Sequence, residues 1–437
     1  MNEVIPFLMI LFFLFITISG VPIAISMILT SLVFVYIQFG NLADLAIPFS
    51  RLPIGFSFSL LAIFLFIQLG IIIDESKMGD YILNFLKIIL RKVKGRTSII
   101  MILTCAAFGP LTGSAVGTTT AVGSVLSPQM KKSGYSDSYS GTLLAYSGIL
   151  GTLIPPSISG LVYAITVGLP VMGVWMATLG LALLYLVILL LWNIMFCSKR
   201  KYEIEISEST KKVPFSTILK SFVRALPALA IPISILGSIY SGIATPTEAG
   251  AVAVVIAVVL TLFYYREVNI KSFFYNITYK AAYQTAIIMF LICASFALSY
   301  VLTSTGSIRS IARSITSISD NTYVLLFLVE GLLIILGCFL DDTPIMILLA
   351  PLVSTILSPL GIHPYHLAGI FVFTCVVGLV TPPVGTVLYA ASAVSKMDVS
   401  KSIKEIIIFL VPAIIVLLLA TFFPEISLFF PKLLNMI

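Results

Sequence analysis

The chain has 437 residues, of which 59% are hydrophobic and 10% are charged, and its formal net charge is +7. This composition excludes a soluble globular protein and predicts a helical membrane protein with many spans. The basic residues stand at the ends of apolar segments, which excludes a nucleic-acid partner, and five scattered cysteines with two histidines exclude a zinc or haem site.

Residues 1–198 are predicted to form the first of two structural repeats. Four apolar segments in this part have the length and composition of membrane-spanning helices: Val4–Ser19, Val21–Phe39, Ile54–Ile73 and Met172–Cys197. The shorter segment Tyr81–Val93 carries basic residues at a helical period, which predicts an arm that lies in the plane of the membrane interface.

A re-entrant hairpin is predicted over about residues 97–130. Its two apolar segments, Thr97–Phe108 and Ala115–Leu126, are each too short to cross a bilayer, which takes about 20 residues. Lys and Arg flank both outer ends, and such clusters favour the cytoplasmic side. The break between the segments, which starts at Gly109, therefore lies at membrane depth, where irregular backbone must be buried in protein or line a wet cavity. This tip is a candidate binding site.

A proline pair, Pro155-Pro156, interrupts the next apolar segment, Tyr139–Ile154. Proline lacks an N–H group, so carbonyls just before the pair lose their helical partners and become free acceptors. The charged stretch 199–216 follows, with five basic residues between Lys199 and Lys212. It is predicted to be a cytoplasmic loop, and it divides the chain near its middle.

Residues 217–437 repeat this order of parts, with an arm at about 304–319, a hairpin at about 322–358 and a segment broken at Pro382-Pro383. The local match sets Gly-Thr-Leu-Ile-Pro-Pro from Gly151 against Gly-Leu-Val-Thr-Pro-Pro from Gly378. No Lys or Arg stands close to the second hairpin, which predicts that it enters from the opposite face. We therefore predict an all-α polytopic protein of two inverted repeats, a pattern typical of secondary transporters with a site near the midplane.

Two sodium sites of equivalent position are predicted at the hairpin tips, because a hard cation binds main-chain carbonyls and hydroxyls at helix breaks. The first set comprises Thr112, Gly113, Ser114, Thr118 and Thr119, facing Gly151, Thr152, Ile154 and Pro155. The second set comprises Asp341, Asp342 and Thr343, facing Gly378, Thr381 and Pro382. The ions themselves are expected at Gly113, Ser114 and Gly151 in one site and at Asp342 and Thr381 in the other.

The aspartate pair has two interpretations. A carboxylate at membrane depth is costly and indicates a functional site, so one aspartate is expected to face a cation and the other to cap the helix that starts at Thr343-Pro344. Alternatively, both cap a loop in water. Farther along the same half, Glu248 follows Thr245-Pro-Thr and is expected to cap a helix. Helix N-termini beyond each tip would add positive potential for an anionic solute.

Seven stretches carry a resemblance to a known family. They are Ser19–Met27, Leu60–Gly70, Gly109–Tyr135, Gly151–Ile158, Ser241–Val252, Leu336–Leu352 and Gly378–Ser392. In these stretches, and in their order, the chain resembles the large membrane (M) subunit, or DctM-like permease, of tripartite ATP-independent periplasmic (TRAP) transporters. The family commonly has Ser-Gly-Ser-Ser at the first tip, whereas this chain has Thr-Gly-Ser-Ala from Thr112, so Ala115 offers no side-chain ligand.

The resemblance implies an elevator carrier in the bacterial inner membrane, driven by a Na⁺ gradient and needing no cofactor. A periplasmic binding protein would deliver an anionic solute, often a carboxylate such as a C4-dicarboxylate or sialic acid. A small Q membrane subunit, expected on a separate chain, would complete the membrane part. The transport domain would hold both hairpins and both broken helices, and the scaffold would hold Met172–Cys197 and Leu219–Tyr240.

Three alternatives stay open from the sequence. A stand-alone Na⁺/carboxylate symporter would need no binding protein, and an ion channel would conduct without a coupled solute. An intramembrane enzyme is disfavoured, because an aspartyl protease needs aspartates on two facing helices and Asp341 and Asp342 are contiguous. No enzymatic activity is expected, and no ATP-binding G-x-x-x-x-G-K-[ST] motif is present.

Overall fold

The computed structural model describes residues 5–40, 50, 60–76, 78–89, 96–200, 214–265, 270–306, 319 and 321–437. Within these ranges the chain is helical and has no strand, which confirms the predicted all-α class. Six described helices are long and apolar enough to cross a membrane, or seven if one bent pair forms a single span. The second arm, at about 304–319, and the charged loop fall largely outside the described residues.

The first half contains ten helices in its described ranges. They are α1 (Ile5–Ile18), α2 (Ile23–Phe39), α3 (Leu61–Glu75), α4 (Met78–Ile89), α5 (Arg96–Thr112), α6 (Ala115–Lys132), α7 (Asp137–Gly148), α8 (Leu150–Leu153), α9 (Ile158–Val167) and α10 (Val171–Arg200). The segment α7–α8 and helix α9 meet at an angle of 45° across the first proline pair.

The second half continues with nine helices in the part of the chain that the structure describes. They are α11 (Phe215–Tyr240), α12 (Pro246–Val259, extended by a π-helical turn, Leu260–Tyr265), α13 (Ile270–Ser304), α14 (Thr322–Gly337), α15 (Asp342–Leu357), α16 (Pro364–Gly378), α17 (Thr386–Ser395), α18 (Ile403–Phe422) and α19 (Glu425–Leu433). Helix α12 begins with a capping box, in which Thr245 Oγ1 accepts a hydrogen bond from the Glu248 amide and Glu248 Oε2 accepts one from the Thr245 amide. The predicted capping role of Glu248 is confirmed.

The first hairpin, α5–α6, has a shorter break than the sequence predicts. Its first helix continues through Pro110 to Thr112, because the Gly109 carbonyl accepts a hydrogen bond from the Gly113 amide at 2.7 Å. The chain turns only at Gly113, which has a φ of +63°, and at Ser114, whose hydroxyl caps α6 by accepting from the Gly117 amide at 3.3 Å. The break is therefore two residues long and strongly bent.

Each hairpin docks on the broken helix of its own half through a pair of glycines. A methyl group added at Gly109 would lie 2.9 Å from the Cα of Gly151, and one added at Gly337 would lie 2.8 Å from the Cα of Gly378. Both second glycines stand four residues before their proline pair. Glycine lets the two backbones touch at these points, and the same contact occurs in both halves.

Helix α10 packs chiefly against α9, α16, α18 and α19, and it also contacts α5 and α8. The expected place of Met172–Cys197 in the scaffold stays a prediction. Helices α11, α12 and α13 pack chiefly against α4, α3 and α2. The elevator division and the inverted sense of the repeats stay predictions.

Candidate functional site

A cavity of about 510 Å³ lies between the tips of the two hairpins. Six of the predicted site residues line it: Thr112, Gly113, Ser114, Asp341, Asp342 and Thr343. The remaining polar residues of the wall were not singled out by the sequence, and they are Asp74 on α3, Ser159 on α9 and Gln284 on α13. Side chains from both halves of the chain therefore meet at one place.

Three helices begin at the cavity. Ala115, Ile158 and Asp342 are the first residues of α6, α9 and α15, and all three line the wall. The first N–H groups of a helix lack intrahelical partners, and the helix dipole places positive potential at this end. The three N-termini can therefore attract an anionic group without a basic side chain.

The lining carries three carboxylates, on Asp74, Asp341 and Asp342, and no Lys, Arg or His among the described residues. Such a wall repels an anion unless a cation offsets the negative charge. Oxygen atoms are also the ligands that hard cations prefer. The cavity is thus suited to holding a cation and an anion together.

The two adjacent aspartates bind hydroxyls from different halves. Asp342 is buried, with 8% of its surface exposed, and its Oδ2 accepts a hydrogen bond from the buried Ser159. Its Oδ1 accepts from the Thr343 amide at 2.8 Å. Asp341 is exposed at the N-cap position of α15 but makes no capping hydrogen bond, and instead accepts from Thr386 Oγ1 at 3.3 Å. We expected one of the two aspartates to cap α15 with its side chain. Asp341, at the N-cap position, makes no such bond, and Asp342 Oδ1 instead accepts from the adjacent Thr343 amide.

The first predicted set comes together behind the first tip. Thr112 Oγ1 and Thr118 Oγ1 share a hydrogen bond of 2.7 Å, and the Gly151 backbone packs against Thr118 Oγ1 and the Ser114 carbonyl. Pro155 and Pro156 offer no N–H to the carbonyls of Gly151 and Thr152. No backbone hydrogen bond reaches these two carbonyls within the described ranges.

Two hydroxyls of this set lack partners. Thr119 Oγ1 and Thr152 Oγ1 are buried and have no hydrogen-bond partner in the part of the chain that the structure describes. Gly148 leaves room for the Thr119 hydroxyl, since an added methyl group would collide with it. Seven other buried side-chain atoms in the described residues also lack a partner, so these two hydroxyls do not by themselves identify a ligand. Six members of the first set do not line the cavity: Thr118, Thr119, Gly151, Thr152, Ile154 and Pro155.

The second predicted set is arranged differently. The Gly378 carbonyl accepts from the Thr381 amide at 3.0 Å, and the Leu379 carbonyl accepts from the Val387 amide at 3.1 Å, so both carbonyls released by the second proline pair have partners. Gly378, Thr381 and Pro382 do not line the cavity, whereas Asp342 does. The two proline breaks thus differ in local hydrogen bonding, although their sequences match.

Some of the missed residues carried a signal. Ser159 stands four residues after Pro155, and Thr386 stands four residues after Pro382, so a search for polar residues at equal distance from each pair would have found both. Asp74 stands at the end of an apolar segment, where a carboxylate is common in water. Gln284 is a single amide within a long apolar helix, and its place on the cavity wall depends on how α13 packs.

This architecture, a multi-pass helical membrane protein with a polar cavity between two broken hairpins, is that of a solute transporter subunit. The comparison with known families is specific. The chain belongs to the family of the DctM component of tripartite ATP-independent periplasmic transporters, whose model matches residues 8–426. The predicted resemblance to the large membrane subunit is confirmed. Members of this family are transporters rather than enzymes, as the sequence predicted.

Relatives with different named solutes are similar to the chain over most of its length. The C4-dicarboxylate TRAP transporter large permease protein DctM of Pseudomonas aeruginosa is 32% identical, over 87% of this chain and 87% of the relative. The sialic acid TRAP transporter large permease protein SiaM of Vibrio cholerae is 27% identical, over 95% and 96%. The isethionate TRAP transporter permease protein DctMQ of Oleidesulfovibrio alaskensis is 29% identical, over 96% of this chain and 65% of the relative.

Proposed function

We propose that this chain imports an anionic solute across the bacterial inner membrane in symport with Na⁺. The cavity between the hairpin tips carries this proposal, because three helix N-termini and three carboxylates line the same space. The N-termini favour an anion, and the carboxylates and nearby hydroxyls favour a hard cation. Each charge makes the binding of the other more favourable, which is the basis of coupled transport.

The solute is proposed to be an organic anion such as a carboxylate. The names of two relatives refer to carboxylates, a C4-dicarboxylate and sialic acid, and the name of a third refers to isethionate, a sulfonate, and all three are anions at neutral pH. The cavity volume of about 510 Å³ accommodates a small organic acid together with water or ions. We further propose that a periplasmic binding protein delivers the solute and that a small Q-type membrane subunit accompanies this chain.

Reconstitution in liposomes tests the function and separates the alternatives. We expect solute uptake only when an inward Na⁺ gradient, the binding protein and the small subunit are all present. Uptake by this chain alone would support the stand-alone symporter. A steady conductance that persists without a solute-coupled Na⁺ requirement would support a channel. Uptake that is unchanged when K⁺ replaces Na⁺ would overturn the proposed coupling.

Substitutions at the two tips test the sites. We expect Asp342→Asn and Ser114→Ala each to raise the Na⁺ concentration for half-maximal uptake by about tenfold, since one charge-assisted contact contributes about 1.5–3 kcal/mol. Asp398→Asn is the matched control, because a hydrogen bond from Lys401 lowers the pKa of this exposed carboxyl and keeps it charged outside the cavity. Wild-type Na⁺ titration curves in both tip variants would contradict the assigned sites.

A further inference from the structure

Two consecutive residues at the start of α9, Ile158 and Ser159, form hydrogen bonds to the two hairpin tips. The amide of Ile158 donates to the Gly113 carbonyl at the first tip, with an N···O distance of 3.1 Å. The next residue, Ser159, donates its hydroxyl to Asp342 at the second tip. The start of α9 therefore contacts both tips. The Ser159 side chain is buried, with 3% of the residue exposed.

The two equivalent residues at the start of α17, Gly385 and Thr386, form these hydrogen bonds only within the second half of the described chain. The amide of Gly385 donates to the Cys338 carbonyl at 2.8 Å, and the adjacent Thr386 donates to Asp341 at 3.3 Å. Both acceptors belong to the same hairpin. Thr386 and Ser159 occupy equal positions after their proline pairs, yet only Ser159 connects one half of the chain with the other.

We propose that Ser159 is a positioning residue that couples the two cation sites. The proposal rests on the Na⁺-coupled function above, with one site at Gly113 and Ser114 and the other at Asp342. The Gly113 carbonyl has two lone pairs, one used by Ile158 and one open to a cation. A cation bound there fixes the first turn of α9, and Ser159 then holds the Asp342 carboxylate toward the cavity.

Coupling of this kind works in both directions. A cation on Asp342 fixes Ser159 and, through it, the amide of Ile158 and the carbonyl of Gly113. By linkage, the affinity gained at one site equals the affinity gained at the other. Na⁺ should therefore bind cooperatively, and the hydroxyl of Ser159 should be needed for the cooperativity. A merely structural hydroxyl would affect stability without changing the shape of the Na⁺ curve.

The test uses two variants of nearly equal shape, Ser159→Thr and Ser159→Val, of which only Thr keeps a hydroxyl. The complete transporter is reconstituted with its binding protein and small subunit, and initial uptake is measured against Na⁺ concentration at saturating solute. For the wild type and for Ser159→Thr we expect a Hill coefficient above 1. For Ser159→Val we expect a Hill coefficient near 1 and a half-saturating Na⁺ concentration about tenfold higher.

Two further variants complete the experiment. Ser159→Ala removes the hydroxyl with a smaller side chain, so it repeats the Val result if Val disturbs folding. Thr386→Val removes the hydrogen bond to Asp341 within the second half and should leave the Hill coefficient at its wild-type value. Hill coefficients above 1 in both Ser159→Val and Ser159→Ala would overturn the coupling role, as would a non-sigmoidal wild-type curve. Wild-type uptake that does not depend on Na⁺ would instead overturn the proposed function itself.

Discussion

Tyr146 of α7 donates its hydroxyl to the main-chain carbonyl of Val380, 3.3 Å away, at the break of the second half. The Tyr146 carbonyl in turn accepts a hydrogen bond of 2.8 Å from the hydroxyl of Tyr185 on α10. Tyr146 stands nine residues before Pro155, and the residue nine before Pro382 is Phe373, which has no hydroxyl. The contact therefore has no counterpart in the other half, and it makes the two breaks chemically different.

Removing the Tyr146 hydroxyl should destabilise the protein. In Tyr146→Phe the buried Val380 carbonyl loses its donor, and an unsatisfied buried group costs about 1–3 kcal/mol. We expect a lower midpoint in thermal unfolding of the purified protein. Tyr163→Phe is the matched control, because the Tyr163 hydroxyl is buried without a hydrogen-bond partner in the described residues. Its removal should leave the midpoint unchanged or raise it, and an equal loss in both variants would contradict the role of the Tyr146 bond.

The glycine contact of the second hairpin gives a second stability prediction. A methyl group at Gly337 would lie 2.8 Å from the Gly378 Cα, so Gly337→Ala should force α14 away from α16 and cost about 1–3 kcal/mol. Gly331 lies on the same helix with nothing within 4 Å, and Gly331→Ala should be neutral or stabilising by up to about 1 kcal/mol. Thermal unfolding of both variants checks the difference. A tolerated Ala at position 337 would mean that the two backbones are farther apart.

Most of the fold could be predicted from the sequence because its signals are local. Short apolar segments, glycine-rich breaks and proline pairs each act within a few residues, so helices α5, α6, α14 and α15 form on the short apolar segments. The exact start of the first break was wrong, because the Gly109 carbonyl still finds the Gly113 amide and extends α5 past Pro110. Such competition between a proline and a continuing helix depends on neighbours that contact α5 only in the folded state.

The cavity could be predicted only in part. Its tips follow from the breaks, but Asp74 and Gln284 reach it because α3 and α13 pack beside the hairpins. The arrangement at the second proline pair was also not predictable. The carbonyls there are engaged by the amides of Thr381 and Val387, and only the path of the chain after the pair decides this.

The hydroxyl of Thr119 allows a test of whether this residue is a sodium ligand or only a structural group. Thr119→Val keeps the shape and removes an oxygen that has no hydrogen-bond partner in the described part of the chain. Without Na⁺ the variant should therefore unfold at the same temperature as the wild type or higher. With Na⁺ the wild type should gain stability through ligand binding, and the variant should gain less.

Thr374→Val is the control for this measurement. Thr374 is equally buried, but its hydroxyl donates only to the Ile370 carbonyl of its own helix at 2.7 Å. Its substitution should leave the Na⁺-induced shift at the wild-type size. A full Na⁺ shift in Thr119→Val would remove Thr119 from the predicted ligands.

Asp74 provides a test of the charge balance in the cavity. Its carboxylate faces the first turn of α6, where a methyl group added at Gly117 would lie 3.6 Å from Oδ2. Two like charges about 8 Å apart repel by about 2 kcal/mol at an effective dielectric constant of about 20. Asp74→Asn should therefore lower the KM for an anionic solute by about tenfold at saturating Na⁺. The same change should raise the Na⁺ concentration for half-maximal uptake, since the cavity becomes less negative.

Opposite shifts of the solute KM and of the half-saturating Na⁺ concentration distinguish this effect from misfolding, because a general loss of folding would impair both constants. Glu425→Gln is the matched control. Glu425 pairs with Lys432 on its own helix α19, and it does not line the cavity. Both constants should stay within about twofold of the wild type, as expected for an exposed ion pair. A higher solute KM in Asp74→Asn would mean that the carboxylate binds a donor group of the solute. The proposed repulsion between Asp74 and the solute would then be wrong.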